Sequence, residues 1–259
     1  MTVSMTSKKH PLTLEFLGSG NGFSPGRAYS SFLLDRKILF EPSPTFLPAM
    51  QALGLSLEGL RYVFISHFHG DHFFGLPFLF LHHYFVTPRP EPLTVIGPRG
   101  LKNRSLRLMD LAFPQTRKKY GHRLPLTFVE VLPGKAYLFE DLTVRVFPMA
   151  HGELTALGFG LTYKQRRLAY SGDTGLCPGL WALLQDAEIA VLEMSSLEDD
   201  YPFHLNRANI LDIRRKVPPS CRLILTHLPR LTERQKKVLT RNPSGKLDLA
   251  EDGRRFSSL

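Results

Sequence analysis

The sequence has little cysteine: Cys177 and Cys221 are the only two among 259 residues. They stand far apart and neither has a CxxC partner, which excludes a disulfide framework and a thiolate zinc site. A reducing, cytoplasmic setting is expected. Long apolar runs are also missing. The most apolar stretch, 73–86, is too short to span a bilayer and contains Pro77, His82 and His83. It is expected to form a buried helix, with no membrane as partner. Nothing reads as a secretory leader, because residues 1–11 are polar and Lys8-Lys9-His10 leads into no apolar segment. That stretch is expected to be a flexible N-terminus. Repeats, low-complexity tracts and linkers are absent, so one domain over 1–259 is expected.

Acidic residues are in deficit: 23 Asp and Glu stand against 33 Lys and Arg, a formal charge of +10. This balance favours anionic partners such as phosphate esters, nucleic acid or a membrane surface, but a basic solvated surface produces the same count. Basic clusters occur at Lys102, Arg104 and Arg107, at Arg117-Lys118-Lys119, and at Lys164, Arg166 and Arg167. No aromatic stacking pattern accompanies them in the sequence, so they read as surface charge. With 43% hydrophobic and 22% charged residues the composition is globular, and a chain of this length can bury a sizeable core.

Apolar periodicity and turn residues predict the elements. Strands are expected at 12–17, 30–34, 37–40, 62–65, 93–96, 126–132, 135–139, 142–147, 158–163, 167–170, 189–193 and 223–226. Helices are expected at 45–53, stopped by Gly54, and at 101–111, 178–185 and 207–217. Residues 246–256 read as a terminal hairpin turning at Asp252-Gly253. Strand-rich halves of similar order predict an α/β fold with helices outside paired sheets.

The chemistry sits in Ser66-His67-Phe68-His69-Gly70-Asp71-His72, directly after the apolar strand 62–65. In an extended segment residues i and i+2 point the same way, so His67 and His69 can chelate one ion. Asp71 and His72 lie past Gly70, where the chain can turn towards a second ion. Imidazoles and carboxylates suit zinc, and also manganese, iron or nickel. Three histidines and an aspartate so close together are costly to bury without a metal. Four ligands are too few for two ions. His151, Asp173 and His227 each follow an apolar strand as His67 does, and residues at several strand ends commonly converge on one site.

This set resembles the metallo-β-lactamase superfamily: HxHxDH, a later lone histidine, an aspartate in an SGDT turn, and a final histidine after a strand. Within it the pattern is most similar to ribonuclease Z. The likeness rests on Phe16-Leu17-Gly18-Ser19-Gly20, the Ser30-Ser31 pair, Ile65 to Pro77, Tyr170-Ser171-Gly172-Asp173-Thr174 and Leu225-Thr226-His227-Leu228. The resemblance implies a four-layer αββα sandwich and a dinuclear centre with a metal-bound hydroxide. His67, His69 and His151 would bind one ion, Asp71, His72 and His227 the other, and Asp173 would bridge them. It also implies catalytic roles for Asp71, which would take the water's proton, for His204, which would protonate the leaving oxygen, and for Glu193, which would orient His204. Leu205-Asn206 stands after this histidine where the family usually has Ser or Thr.

Ribonuclease Z enzymes generally carry a protruding arm that grips RNA, placed in the bacterial form between the third ligand and the bridging aspartate. Here only the short interval from His151 to Asp173 is available, room for one hairpin. A small-molecule phosphodiester or other ester is therefore the expected substrate, with nucleic acid and a homodimer left open as partners. Three functions stay in view. They are a metal-dependent phosphodiesterase or nuclease, a hydrolase of another ester, thioester or lactam, and a non-catalytic nucleic-acid or metal-binding module. Phe73, Phe74, Phe78 and Phe80 read as core packing, with the lining of an apolar pocket as the alternative. His82 and His83 read as structural or exposed, His10 and His122 as exposed, and Cys177 as a small packed hydrophobe.

Overall fold

A computed structural model describes residues 10–88, 91–198, 201–241 and 245–259. The expected flexibility of 1–11 falls largely on residues 1–9, which lie outside the described residues. Short apolar segments separated by Gly, Pro and Asp turns build the first sheet. Its strands are β1 (Leu14–Gly18), β2 (Ser31–Leu34), β3 (Ile38–Phe40), β4 (Tyr62–Phe64), β5 (Leu93–Gly97) and β6 (Leu126–Glu130), joined by the terminal β14 (Arg255–Phe256). They lie in the order β14-β1-β2-β3-β4-β5-β6. Asp35, Arg36 and Lys37 join β2 to β3, and Asp35 and Arg36 have φ of 49° and 56°, left-handed backbone that turns the chain tightly between paired strands. From β3 to β6 all pairings are parallel, and helices make the crossovers. These helices are α1 (Phe46–Ala52), α2 (Gly70–Phe73), α3 (Leu76–Phe85), α4 (Leu101–Ala112) and α5 (Thr116–Tyr120).

The second sheet holds β7 (Ala136–Leu138), β8 (Leu142–His151), β9 (Leu154–Tyr163), β10 (Arg166–Tyr170), β11 (Ile189–Glu193), β12 (Arg222–Thr226) and β13 (Leu247–Leu249). Its order is β13-β12-β11-β10-β9-β8-β7. The helices α6 (Pro178–Leu184), α7 (Arg207–Lys216) and α8 (Glu233–Thr240) accompany it. Three apolar layers result, as a four-layer αββα sandwich requires. One lies between the sheets, one between the first sheet and its helices, and one between the second sheet and its helices. Among the described residues no helix is long and apolar enough to cross a membrane.

Strand direction positions the site. β10, β11 and β12 run parallel. Two antiparallel steps, β8 to β9 and β9 to β10, restore the direction of β8. The carboxyl ends of all four therefore open on one edge. The first sheet joins that edge where Leu157 donates its N–H to the Ser66 carbonyl at 3.0 Å and Leu228 donates to that of Ser19 at 2.7 Å. Gly172 is required here. Its φ is +57°, and a Cβ would lie 2.6 Å from that of Ser66.

Three expectations are corrected. The terminal segment is no hairpin: β13 pairs with β12 in one sheet, while β14 pairs with β1 in the other. The carboxylate of Asp252 accepts the N–H groups of Ser19 and Ala28 at 2.9 and 2.7 Å, so its turn carries the chain across between the sheets. The apolar run 73–86 is not one buried helix. It divides at Gly75, where a Cβ would meet the Ser43 carbonyl oxygen at 2.1 Å. Phe73 and Phe80 are buried, whereas Phe74 and Phe78 are 51% and 46% exposed. Helices α5 and α8 went unanticipated, although Thr232 and Gln235 form a capping box at the start of α8 that the sequence contains.

Aromatic rings bind the two sheets. Phe40 stacks on Phe32 and Phe64 with centroids 4.5 and 5.0 Å away, and Tyr170 of the opposite sheet meets it edge-on at 5.1 Å. Truncating Phe40 to Ala should cost about 3–5 kcal/mol of unfolding free energy, measured by urea denaturation. A loss under about 1 kcal/mol would show that the ring does not hold the sheets together.

Candidate metal centre

Each residue of the centre is delivered by the end of a strand. His67 follows β4, His151 is the last residue of β8, Asp173 follows β10, and His227 follows β12. β8 runs four residues further than its apolar pattern implied, because its outer residues pair fully with β9. Beyond β4, His69 sits before α2, while Asp71 and His72 lie within its first turn. All seven anticipated ligands come together. His67, His69, His151 and Asp173 form one group, and Asp71, His72 and His227 form another, with donor atoms within 4.8 Å of one another in each. Asp173 faces both, its Oδ2 lying 3.3 Å from His72 Nε2, 3.4 Å from His227 Nε2 and 3.8 Å from His67 Nε2.

The spacing fits a cation. His69 Nδ1 and His151 Nε2 are 3.2 Å apart, and the Nε2 atoms of His72 and His227 are 3.3 Å apart. Tetrahedral zinc with Zn–N bonds of about 2.0–2.1 Å places its ligand atoms about 3.3 Å from one another. Among the described residues the Nε2 of fully buried His67 has no hydrogen-bond partner, and leaving such an atom unpaired is costly. The second ring nitrogens are engaged away from the cluster. His67 Nδ1 meets Ser66 Oγ at 2.9 Å, His151 Nδ1 meets the Phe203 carbonyl at 3.3 Å, and His227 Nδ1 meets Ser195 Oγ at 2.8 Å. Outward N–H groups turn the Nε2 lone pairs inward, as metal ligation needs.

Electrostatics point the same way. Burial holds His67 well below the ordinary histidine range and lowers His69 and His151, which favours the neutral, ligating form. Burial also opposes charge on Asp71, Asp173 and His72, but their mutual attraction outweighs it. Both carboxyls are held well below the usual range, and His72 is raised well above. Backbone strain occurs here too. Glu41 and His227 have φ of 54° and 55°, and the second is fixed because both backbone groups of Leu228 are bonded to the segment at Ser19–Asn21.

His204 and Glu193 also meet. His204 Nδ1 lies 2.8 Å from Glu193 Oε1 and 3.0 Å from Ser195 Oγ, and the ring stacks between Tyr201 and His227. Burial pulls His204 down, but its bond to Glu193 leaves it raised overall. The other Glu193 oxygen accepts the Ser195 hydroxyl at 2.7 Å, and Oε1 also accepts the Thr174 N–H at 3.0 Å.

Two site residues escaped the sequence reading. Ser195 links His227 to Glu193, and no spacing rule marks a serine for that task. Glu41 is fully buried, accepts the Ser66 N–H at 3.0 Å, and lies 3.7 Å from His72 Nδ1. It follows β3 directly, so the strand-end signal that found the others would have found it. His83 is buried with Nδ1 3.0 Å from the Thr87 carbonyl, whereas His10 and His122 are exposed. Cys177 caps α6, its Sγ 3.7 Å from Thr174 Oγ1.

Ribonuclease Z of Pyrococcus abyssi is 36% identical over 151 residues, covering 56% of this chain and 46% of that protein. The chain spans about half the length of the curated relatives it matches. The fold matches the metallo-beta-lactamase fold protein YhfI from Bacillus subtilis with a TM-score of 0.75 at 18% identity, over 96% of this chain and 100% of that one. The short form of human tRNase Z matches with a TM-score of 0.75 at 22% identity, over 95% and 99%. A family model described as a beta-lactamase superfamily domain matches residues 36–228. The fold implies divalent metal ions, and the histidine and aspartate cluster has the donor atoms to hold a metal ion. That matched span contains all seven residues and the strands that deliver them, and the chain belongs to the beta-lactamase superfamily, with the metallo-β-lactamase fold.

Proposed function

We propose that residues 1–259 act as one metal-dependent hydrolase domain, a phosphodiesterase holding two divalent ions, with zinc the first choice. The carrying observation is the pair of ligand groups that Asp173 faces together, as a member of one and within 3.4 Å of His72 and His227 of the other. His67, His69 and His151 are assigned to one ion, Asp71, His72 and His227 to the other, and Asp173 to both. Bound there, paired ions would activate water and neutralise the charge that develops in an in-line displacement. The likeness to ribonuclease Z over 151 residues supports the phosphodiester as substrate class. The interval from His151 to Asp173 holds only β9, β10 and the turn at Lys164 and Gln165. This favours a compact diester over a large folded RNA. Free Cys177 and Cys221 accord with a reducing, cytoplasmic setting.

The chain's own groups divide the remaining work. Asp71 stays ionised beside His72 and His227 and is the carboxylate placed to accept the water's proton. Asp173, almost wholly buried, holds the two ligand groups in register. His204 is the acid. Glu193 and Ser195 occupy its Nδ1, so the proton it delivers to the leaving oxygen is the one on Nε2.

Purified protein loaded with zinc or manganese should hydrolyse model diesters, cyclic nucleotides or short oligonucleotides in preference to simple carboxylic esters. Preference for thioesters or lactams would overturn the substrate class. Asp173→Ala and His69→Ala should lose turnover together with bound metal, measured by elemental analysis, and a fully active alanine variant would sink the scheme. His204→Ala should slow release of an alkoxide by about 10²–10⁴-fold while slowing release of p-nitrophenolate far less. Equal losses on both leaving groups would remove His204 from the acid's role.

A further inference from the structure

Beside the metal loop runs a groove of about 730 Å³ lined by Phe68, Phe73, Phe74, Arg104, Arg107, Leu108, Asp110 and Leu111. One wall is the ligand-bearing segment itself, since Phe68 stands between His67 and His69 and Phe73 follows His72. The groove adjoins the chain segment that carries the centre's exposed residue. His69 is the exposed ligand, and the Phe74 ring covers the next residue, Gly70, where a Cβ would come within 3.0 Å of it. The opposite wall is α4, which brings Arg104 and Arg107 to face these rings.

Its charge is one-sided. Among the described residues neither Arg104 nor Arg107 is in an ion pair, whereas Asp110 is bound by Arg117 at 2.9 and 2.6 Å. Two unpaired guanidinium groups thus dominate the groove. Arg104 lies 4.8 Å over the Phe68 ring, which holds its charge at the groove wall. Phe74 stays 51% exposed and Leu111 80% exposed, an apolar surface left open next to unpaired cations. Guanidinium groups match phosphate oxygens, and an exposed ring offers a base a face to stack on.

Resting on the phosphodiesterase reading above, we propose that this groove binds the nucleotide segment continuing from the scissile phosphate, with a base against Phe74 and the flanking phosphates on Arg104 and Arg107. The aromatic partners that the basic cluster lacks in sequence are supplied across space by the metal loop. The substrate class is then a short single-stranded nucleic acid or dinucleotide.

The test uses the metal-loaded protein and a fluorescein-labelled thymidine hexanucleotide, with binding followed by anisotropy from low to moderate salt. Arg104→Ala/Arg107→Ala should weaken binding by about tenfold or more and flatten the logarithmic salt dependence by about 1.4, roughly 0.7 for each phosphate no longer neutralised. Phe74→Ala should weaken binding by at least about fivefold. Arg145→Ala, which removes an exposed cation that faces Asp186 elsewhere, should change it less than twofold. Hydrolysis of methyl p-nitrophenyl phosphate by the unaltered protein is measured in parallel. If that diester is cleaved while the groove variants bind the oligonucleotide like the parent, the groove is overturned and the phosphodiesterase reading stands. If no diester is cleaved, that reading fails and the anisotropy still decides the groove. Variants that shift the sedimentation coefficient but not the oligonucleotide affinity would make this face a contact between copies, which also overturns the proposal.

Discussion

Asp173 is an ionised carboxylate buried between two sheets, and it can stay there only because imidazoles converge on it. Its Oδ2 lies within 3.8 Å of His67, His72 and His227. A carboxylate without such neighbours would be driven to neutralise. Those neighbours come from β4, α2 and β12, so the compensation works only when both sheets are in register. Fold and site are therefore one constraint. The strand ends must meet for the aspartate to be tolerated, and the edge where they meet gathers the candidate ligands around it.

A second layer of polar groups makes that register rigid. The two oxygens of Glu193 hold the Thr174 backbone, His204 and the Ser195 hydroxyl, and through Ser195 they reach His227. Glu41 does similar work for the first sheet, fixing Ser66 beside His67 and facing His72. Both carboxylates are almost fully buried, where a half-satisfied polar network would cost more than an apolar core. Their hydrogen bonds bring the turn at Asp173 and the loop at His67 to fixed positions.

Much of the site was legible because its chemistry is local. An HxHxDH run announces ligands by residue type and spacing alone, and His151, Asp173 and His227 share the signal of standing at the end of an apolar strand. His204 and Glu193 could be named only by resemblance, because no spacing rule joins residues in different loops. Ser195 was missed because a serine hydroxyl carries no periodic signature and its importance comes from partners that are distant in sequence. Glu41 did carry the strand-end signal, standing directly after β3, but no motif residue beside it drew attention to that position. The terminal segment misled for a physical reason. A turn at Asp252-Gly253 between apolar pairs looks like a hairpin, yet Asp252 serves backbone donors of the other sheet.

The sequence by itself determined most of the strands, the placing of helices outside paired sheets and seven candidate ligands. Apolar periodicity and strand-end chemistry are written within a few residues. Tertiary structure alone decided the distances that bring Asp173 to both groups, the place of Ser195 between Glu193 and His227, and that the apolar run 73–86 breaks at Gly75 to leave Phe74 open. It also decided that the basic helix α4 faces those rings. Each of these outcomes depends on distances between segments that the chain brings together only when the two sheets pack, and no local pattern encodes such a distance.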